Sequence, residues 1–140
     1  MAEFVHLHVH TQFSFLTSTV KVKELAKRTQ ELGMRAVALT DHANMFGAIR
    51  HYKACKAAGI QPILGSGINV ARDGGKGVVD HLGLLARSER GYRNLIQLLS
   101  RGYRHAASPD SPSISLSDLE GRTEGLVALT GCMGGVVAQQ

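Results

Sequence analysis

The residues that decide the fold lie in the first forty positions, where Phe4-Val-His-Leu-His-Val-His10 is followed by Arg35-Ala-Val-Ala-Leu-Thr40. The first stretch alternates apolar and polar side chains and predicts a short strand, and the second is mostly apolar and predicts a buried strand. Between them, apolar residues recur at helical spacing from Val20 to Leu32, and Gly33 stands where a helix C-cap is expected. The predicted order is therefore strand, helix, strand.

The same alternation continues through the rest of the chain. In order, the pattern predicts a helix over 45–59, strands over 61–64 and 68–71, a turn over 73–77, a strand over 78–86, a helix around 92–103, a loop over 106–113, a short helix over 116–120 and a strand over 125–130. The expected apolar stripes are Met45, Ala48, Ile49, Tyr52 and Cys55 on the second helix and Tyr92, Leu95, Ile96, Leu99 and Tyr103 on the third. Strands that alternate with helices predict an α/β fold with a parallel sheet, in which ligand groups collect at the carboxyl ends of the strands.

The composition fits one globular domain. The 140 residues are 44% hydrophobic and 19% charged, which excludes a disordered tail, a collagen-like repeat and a coiled coil. No stretch has the roughly 18 apolar residues of a membrane span, and the N-terminus lacks a signal-peptide pattern, so we expect a cytoplasmic protein without membrane contact. The net charge of +5 is compatible with a polyanionic partner but does not require one.

The first predicted helix carries a run of cations, Lys21, Lys23, Lys27 and Arg28. A solvated helix face is the simpler interpretation of this run. Contact with a phosphate backbone is the alternative.

Histidine is unusually frequent, since the chain has seven and three of them lie within the first ten residues. In a strand, side chains two positions apart point the same way, so His6, His8 and His10 share one face. Imidazole nitrogens at this spacing are typical metal ligands, and we predict that His8 and His10 bind a metal ion. His6 is either a residue that supports the ligands or a purely structural one. The alternative for these positions is a partly buried strand histidine with a backbone partner.

A second group follows the strand that ends at Leu39, where Asp41 and His42 are adjacent. A carboxylate and an imidazole at a strand end suit a metal site, and Asp41 is also a possible catalytic residue. The alternative is that Asp41 caps the helix that begins near Met45 while His42 is an ordinary loop residue. The carboxyl ends of parallel strands meet at one edge, so we expect His42 to converge with the N-terminal histidines.

Two further residues are candidates for the same site. His81 lies in a predicted strand and could face the cavity, although a lone strand histidine is more often satisfied by a backbone group. Cys132 lies among glycines and could supply a thiolate, which suits zinc better than magnesium. Cys55 is expected in the core, His51 at the surface and His105 in solvent. The two cysteines form no CxxC motif and indicate no disulfide framework.

Five segments, in this order, resemble one known family: Phe4-Val-His-Leu-His-Val-His-Thr-Gln-Phe-Ser14, Leu39-Thr-Asp-His-Ala-Asn-Met-Phe-Gly-Ala48, Gly59-Ile-Gln-Pro-Ile-Leu-Gly65, Gly91-Tyr-Arg-Asn-Leu95 and Gly125-Leu-Val-Ala-Leu-Thr-Gly-Cys132. They resemble the PHP (polymerase and histidinol phosphatase) domain at the N-terminus of bacterial DNA polymerase III alpha subunits, over nearly the whole chain. The resemblance implies a distorted β/α barrel. Because an ordinary barrel of this kind needs roughly 250 residues, residues 1–140 are expected to form its N-terminal part.

The resemblance also implies a function. The parent protein would be a DNA-directed DNA polymerase, a nucleotidyltransferase of DNA replication whose partners are primer-template DNA and other replisome subunits. The PHP site resembles a metal-dependent 3′-5′ exonuclease or phosphoesterase that uses divalent zinc, manganese or magnesium. By matching position, the family's metal ligands correspond to His8, His10, His42, His81 and Cys132.

Two family ligand positions depart from the pattern. Thr17 stands where the family has Asp, and Gly67 stands where it has Glu. A carboxylate that bridges two cations offsets their repulsion and keeps them about 3.5–4 Å apart, so its loss predicts fewer ions than an intact cluster holds. A partly degraded phosphoesterase site is the favoured hypothesis. The alternatives are a non-catalytic scaffold that stabilises the polymerase core and, less favoured, a free-standing PHP phosphatase.

Overall fold

The computed structural model describes residues 4–71, 79–106 and 112–131. Their elements, in chain order, are α1 (Val22–Glu31), β1 (Ala36–Leu39), α2 (Ala48–Ala57), β2 (Gln61–Ala71), β3 (Val79–Ala86), α3 (Glu89–His105), β4 (Ser113–Ser115), α4 (Leu116–Leu119) and β5 (Leu126–Leu129). The predicted alternation of helices and strands is confirmed over these elements. The predicted turn over 73–77 lies outside the described residues, as does most of the predicted loop over 106–113. No helix in the described ranges has both the length and the apolar character needed to cross a membrane.

The five strands form one mixed sheet, so the prediction of a parallel sheet is wrong in part. β2 pairs in parallel with β1 and β4, but β3 pairs antiparallel with β2 and β5. The order across the sheet is β1-β2-β3-β5, with β4 beside β2. A parallel successor needs a crossover of about a dozen residues or more. Only residues 72–78 separate β2 from β3, so the chain returns antiparallel.

β2 is one strand of 11 residues where the sequence predicts two short strands. The predicted interruption contains Gly65, and a Cβ added there would lie 2.5 Å from the carbonyl oxygen of Leu84 on β3. Glycine in a strand pattern often marks such a close approach of another backbone. The residue therefore maintains the pairing of β2 with β3 instead of ending the strand.

The segment over 4–10 is extended but does not form the regular strand that its alternation predicts. A single parallel bridge joins His6 to Val37 of β1. The Thr40 N–H donates to the Val9 carbonyl at 2.9 Å, and the Val9 N–H donates to the Thr40 hydroxyl at 2.8 Å. A side chain therefore replaces a backbone carbonyl in the pairing, and the segment runs beside β1 without completing a ladder.

The buried core has two clusters. The first joins the sheet to α3 and consists of Ile68, Val70, Leu84, Leu95, Leu98 and Ile114. The second joins α1, β1 and α2 and consists of Ala26, Val37, Cys55 and Ile60. The predicted core position of Cys55 is thus confirmed, and burial raises the pKa of its thiol to about 11.

The apolar stripes predicted for the second and third helices are partly wrong. Ile49, Tyr52, Ile96 and Tyr103 are exposed. The buried residues of α3 are Gly91, Asn94, Leu95, Leu98 and Gly102. The packed face of α3 therefore includes glycines and an asparagine. A prediction based on the spacing of large apolar residues does not detect them.

The prediction for His51 is also wrong. The residue is expected at the surface, but on α2 it is fully buried. Its Nε2 lies 3.2 Å from the Val37 carbonyl oxygen, and the Cys55 Sγ lies 3.7 Å from the ring. Burial lowers the pKa of His51 and outweighs the opposite effects of the Val37 hydrogen bond and the Asp41 charge. The ring fills core space and has a backbone partner, so it does not need water.

We predict that His51 makes the fold sensitive to acid. The unfolded chain protonates this group near its usual pKa of about 6.5, whereas the folded chain resists protonation. Its contribution to stability is complete above that pH and is lost as the pH falls through the lower folded pKa, by at most about 1.4 kcal/mol per pH unit. Urea unfolding between about pH 7 and pH 5 should therefore show a smaller loss of stability for His51→Gln than for the wild type.

His105 provides the control for this experiment, because it is exposed at the end of α3, as predicted. His105→Gln should keep the pH dependence of the wild type. If His51→Gln lost stability on acidification as steeply as the wild type, the buried imidazole would not be a source of the acid sensitivity.

Candidate metal centre

All four histidines that are predicted as metal ligands line one cavity. Its volume is about 920 Å³, and its lining consists of His8, His10, Thr17, His42, Gly67, His81, Leu82, Gly83, Ala128, Leu129, Thr130 and Gly131. The N-terminal segment, the residues that follow β1, and strands β2, β3 and β5 all contribute to this lining. The convergence expected from the strand ends is therefore present for these four imidazoles.

Backbone pairing beyond the end of β1 places His42 in the cavity. His42 forms a parallel bridge with Gly67 of β2, and the Ala43 N–H donates to the Gly67 carbonyl at 2.7 Å. Ala43 then takes a left-handed φ of 53°, which turns the chain away from β2 directly after His42. His81 reaches the same cavity from β3, the strand on the other side of β2.

The four imidazoles form two neighbouring pairs. The ring centroids of His8 and His10 are 4.9 Å apart, and those of His42 and His81 are 5.5 Å apart. Burial lowers the pKa of His10, and repulsion by His8 and His81 lowers it further against an opposite effect of Asp41. Burial also lowers the pKa of His42, with smaller contributions from His81 and His10. These shifts favour the neutral imidazole, which is the form that binds metal ions.

The other candidates for the site are placed differently. Over the described part of the chain, no three His, Cys, Asp or Glu side chains form a complete metal site. Cys132 lies outside the described residues. The His6 ring packs edge-on against Phe4 with centroids 4.7 Å apart, and His6 is not part of the cavity lining.

Asp41 does not line the cavity and is fully buried behind it. Its Oδ1 accepts hydrogen bonds from the Thr11 N–H at 2.6 Å and the Ser14 hydroxyl at 2.7 Å, and its Oδ2 accepts from the Thr11 hydroxyl at 2.7 Å. It does not cap α2, whose N-cap residue is Gly47. The carboxylate therefore holds the loop between the N-terminal segment and α1.

The same network extends to the residues around His42. The Ser14 hydroxyl accepts the His42 N–H at 3.0 Å while it donates to Asp41. The Asn44 side-chain amide donates to the Phe13 and His42 carbonyls at 3.0 and 2.9 Å. The sequence analysis does not identify Thr11, Ser14 or Asn44 as site residues. Their only sequence signal is that they are hydroxyl and amide residues that directly follow the two histidine motifs.

Among the residues that the structure describes, no carboxylate lines the cavity. The Thr17 hydroxyl donates to the Ser14 carbonyl at 2.9 Å, which leaves only a neutral oxygen near the imidazoles. A Cβ added at Gly67 would lie 3.9 Å from the His42 Nδ1, at ordinary contact distance. The two departures seen in the sequence therefore both face the cavity, and the position of Gly67 has room for a side chain.

The amino-acid sequence matches a known protein family. The sequence over residues 6–140 matches the PHP domain family. The chain belongs to the PHP domain family. The resemblance of its motifs to PHP domains is thus confirmed. The histidines that the sequence resemblance predicts as ligands of this PHP domain, His8, His10, His42 and His81, all line the cavity.

Relatives of this PHP domain include the DNA polymerase III subunit alpha of three bacteria. The protein of Borreliella burgdorferi is 39% identical over 145 residues, that of Aquifex aeolicus 40% over 147, and that of Pseudomonas aeruginosa 41% over 134. The alignments cover 96–97% of the chain but 11–13% of the relatives. The chain therefore spans about an eighth of the length of these proteins.

Two solved structures share the fold of the PHP domain. A protein described as a metal-dependent phosphoesterase, from Bifidobacterium adolescentis, has a TM-score of 0.58 and 21% identity over 74% of this chain and 34% of its own. An amidohydrolase from Chromobacterium violaceum has a TM-score of 0.52 and 16% identity over 85% of this chain and 49% of its own. Both alignments cover less than half of the neighbour, which agrees with the expectation that the chain forms part of a larger β/α barrel.

We predict that Asp41→Asn destabilises the PHP domain by about 2–3 kcal/mol, because an amide group cannot accept all three buried donors. Asp118→Asn is the comparison. Asp118 is partly buried, accepts the Ser115 N–H in the capping box of α4 and pairs with Arg101 at 2.7 Å, so its substitution should cost about 1 kcal/mol. Urea unfolding at neutral pH measures both. If the two variants lost the same free energy of unfolding, the buried hydrogen bonds of Asp41 would stabilise the domain no more than the contacts of Asp118 do.

Proposed function

We propose that this chain is the PHP region at the N-terminus of a DNA polymerase III alpha subunit. The proposal is supported by the polymerase relatives, which align with nearly the whole chain at about 40% identity. The parent protein then catalyses DNA-directed DNA synthesis, and its partners are primer-template DNA and other replisome subunits. The carboxylates for nucleotidyl transfer belong to a later part of that protein, so polymerase activity does not reside in these residues.

The cavity of this region, in our proposal, binds one divalent metal ion. Its ligands come from the two imidazole pairs His8–His10 and His42–His81, which in the structure itself are not arranged as one ligand group among the described residues. The observation that carries this step is the set of four imidazoles on one cavity whose lining has no carboxylate. Cys132 is a further ligand on the family resemblance alone. Because the described donors are nitrogens, the set fits zinc best, manganese less well and magnesium least.

One ion is proposed instead of a cluster because anionic bridges are missing. Neighbouring cations repel each other unless carboxylates lie between them. The positions that supply them in the family hold Thr17 and Gly67 here. The imidazoles are neutral ligands, so they leave the charge of a second ion uncompensated.

The residues around the cavity have supporting roles in this proposal. A divalent ion, when bound, would act as a Lewis acid and polarise a phosphodiester. Asp41 is a positioning residue, because it orients the loop over 11–18 and, through Ser14, the backbone of His42. It is fully buried and does not line the cavity among the described residues.

A non-catalytic scaffold is the second candidate function, and the absence of carboxylates at Thr17 and Gly67 favours it. The two candidates differ in metal binding, since a pure scaffold has no need for the imidazoles as ligands. A free-standing phosphatase would instead turn over a small phosphomonoester without acting on DNA 3′ ends.

Metal analysis tests the proposed centre. After loading with zinc and dialysis, we expect about one zinc ion per wild-type chain, and at most a small fraction of that for the double variant His8→Ala, His10→Ala. Zinc should also raise the unfolding temperature of the wild type but not of the double variant. Inductively coupled plasma mass spectrometry and thermal unfolding provide the two measurements.

His105→Ala is the matched control, because it removes an exposed imidazole that lies outside the cavity. It should bind zinc like the wild type. Three tightly bound ions per chain would contradict the single-ion proposal. Unchanged metal content and stability in the double variant would leave the scaffold as the better account.

Gly67→Glu should strengthen zinc binding about tenfold or more, because it adds an anionic ligand where the structure has room beside His42. Gly67→Gln has nearly the same shape without the charge and should bind zinc about as the wild type does. Titration against a chromophoric chelator measures both affinities. If Gly67→Glu and Gly67→Gln bound zinc equally tightly, the lack of a carboxylate at position 67 would not be what limits zinc affinity.

A further inference from the structure

A second cavity lies between α1 and α2 and shares no lining residue with the metal centre. Its volume is about 970 Å³. Its charged lining residues are the five cations Lys21, Lys23, Lys27, Arg50 and Lys53 and the single carboxylate Glu24. We name this cavity the basic groove. Most of the chain's net charge of +5 is therefore concentrated in one place.

The cations of α1 are only weakly neutralised. Lys21 and Lys27 approach Glu24 and Glu31 at 3.6 and 3.9 Å, and all four side chains are largely exposed. Exposed pairs of this kind contribute little to stability, so their ammonium groups remain available to another anion. Lys23 forms no ion pair within the ranges that the structure describes. By itself, this arrangement would still suit a solvated helix face.

α2 departs from that pattern, because its ten residues include Arg50, Lys53 and Lys56 and no acidic residue. Arg50 lies over the Phe13 ring at 5.5 Å, and Lys53 has no ion-pair partner among the described residues. Solvated helix faces usually intersperse charges of both signs. The uncompensated cations of α2 therefore indicate an anion from outside the chain.

The arrangement of these cations suits a linear anion. Lys23 and Lys27 are one helical turn apart on α1, and Arg50 and Lys53 are one turn apart on α2, so the charges form two rows. The lining between the rows includes Ala26, Ala54, Ala57 and Ala58. Their small side chains let a ligand backbone approach, but they offer no deep pocket for a large apolar anchor.

We propose that the basic groove binds the phosphate backbone of a single DNA strand. Regularly spaced phosphates match two rows of Lys and Arg, and such contacts hold a strand without reading its sequence. An acidic peptide is disfavoured, because protein partners usually obtain affinity from large side chains that fill pockets. The choice of DNA among polyanions rests on the proposed function, whereas the binding itself needs neither the metal centre nor polymerase activity.

Fluorescence anisotropy with a labelled oligothymidylate, in the presence of a chelator, tests the groove. The double variant Lys23→Gln, Lys53→Gln should bind about tenfold more weakly at about 0.1 M salt, because it removes one cation from each row. The slope of log affinity against log salt should become shallower by about 1.4, the value for two phosphate contacts on a single strand. Circular dichroism and urea unfolding should show an unchanged fold, since both lysines are exposed.

Arg87→Gln, Arg104→Gln is the matched control, because it removes the same net charge from two exposed residues outside the groove. It should bind the strand with nearly wild-type affinity. Equal losses in the two double variants, or no loss in the groove variant, would overturn the proposal. Polyglutamate that displaced the strand at equal charge concentration would also overturn it, in favour of an acidic peptide.

Discussion

The buried carboxylate of Asp41 connects the parts of the chain from which the metal centre is built. Its oxygens accept three hydrogen bonds from Thr11 and Ser14, and its backbone carbonyl accepts from Gly67 and from the Ser66 hydroxyl. A carboxylate removed from water needs such donors, because an unpaired buried charge is very costly. The carboxylate therefore fixes the loop over 11–14 to the end of β1, and the backbone carbonyl of the same residue continues the pairing of β1 with β2.

This constraint explains why a loop can contribute to a defined cavity. The segment over 4–10 pairs incompletely with β1, so regular strand pairing alone does not set its path. Asp41 and Ser14 provide the missing constraint and place His10 and Thr17 at the cavity. The same cavity combines four imidazoles with the neutral residues Thr17 and Gly67, a lining that suits the proposed single cation better than a cluster of ions.

The chain separates two kinds of chemistry in space. The histidine cavity offers neutral nitrogen donors, since burial and mutual repulsion lower the pKa of His10 and His42. The basic groove instead offers permanent positive charge on the exposed faces of α1 and α2. A cation is attracted to the first and a polyanion to the second. The proposed metal site and the proposed contact with DNA therefore lie on different surfaces of this PHP domain.

The sequence by itself determined the alternation of helices and strands, the common face of His8 and His10, the neutral side chains at positions 17 and 67, and the family. These features depend on local periodicity and on residue identity. Only the tertiary structure decided the antiparallel pairing of β3, the burial of His51 and the use of Asp41 as an anchor for Thr11 and Ser14. The hydrogen bonds of Asp41 join residues about thirty positions apart, and His51 is buried because α2 packs against α1 and β2, which brings the ring to the Val37 carbonyl of β1. Local periodicity shows which side of an element is apolar, but the residue that a side chain meets depends on how distant segments pack together.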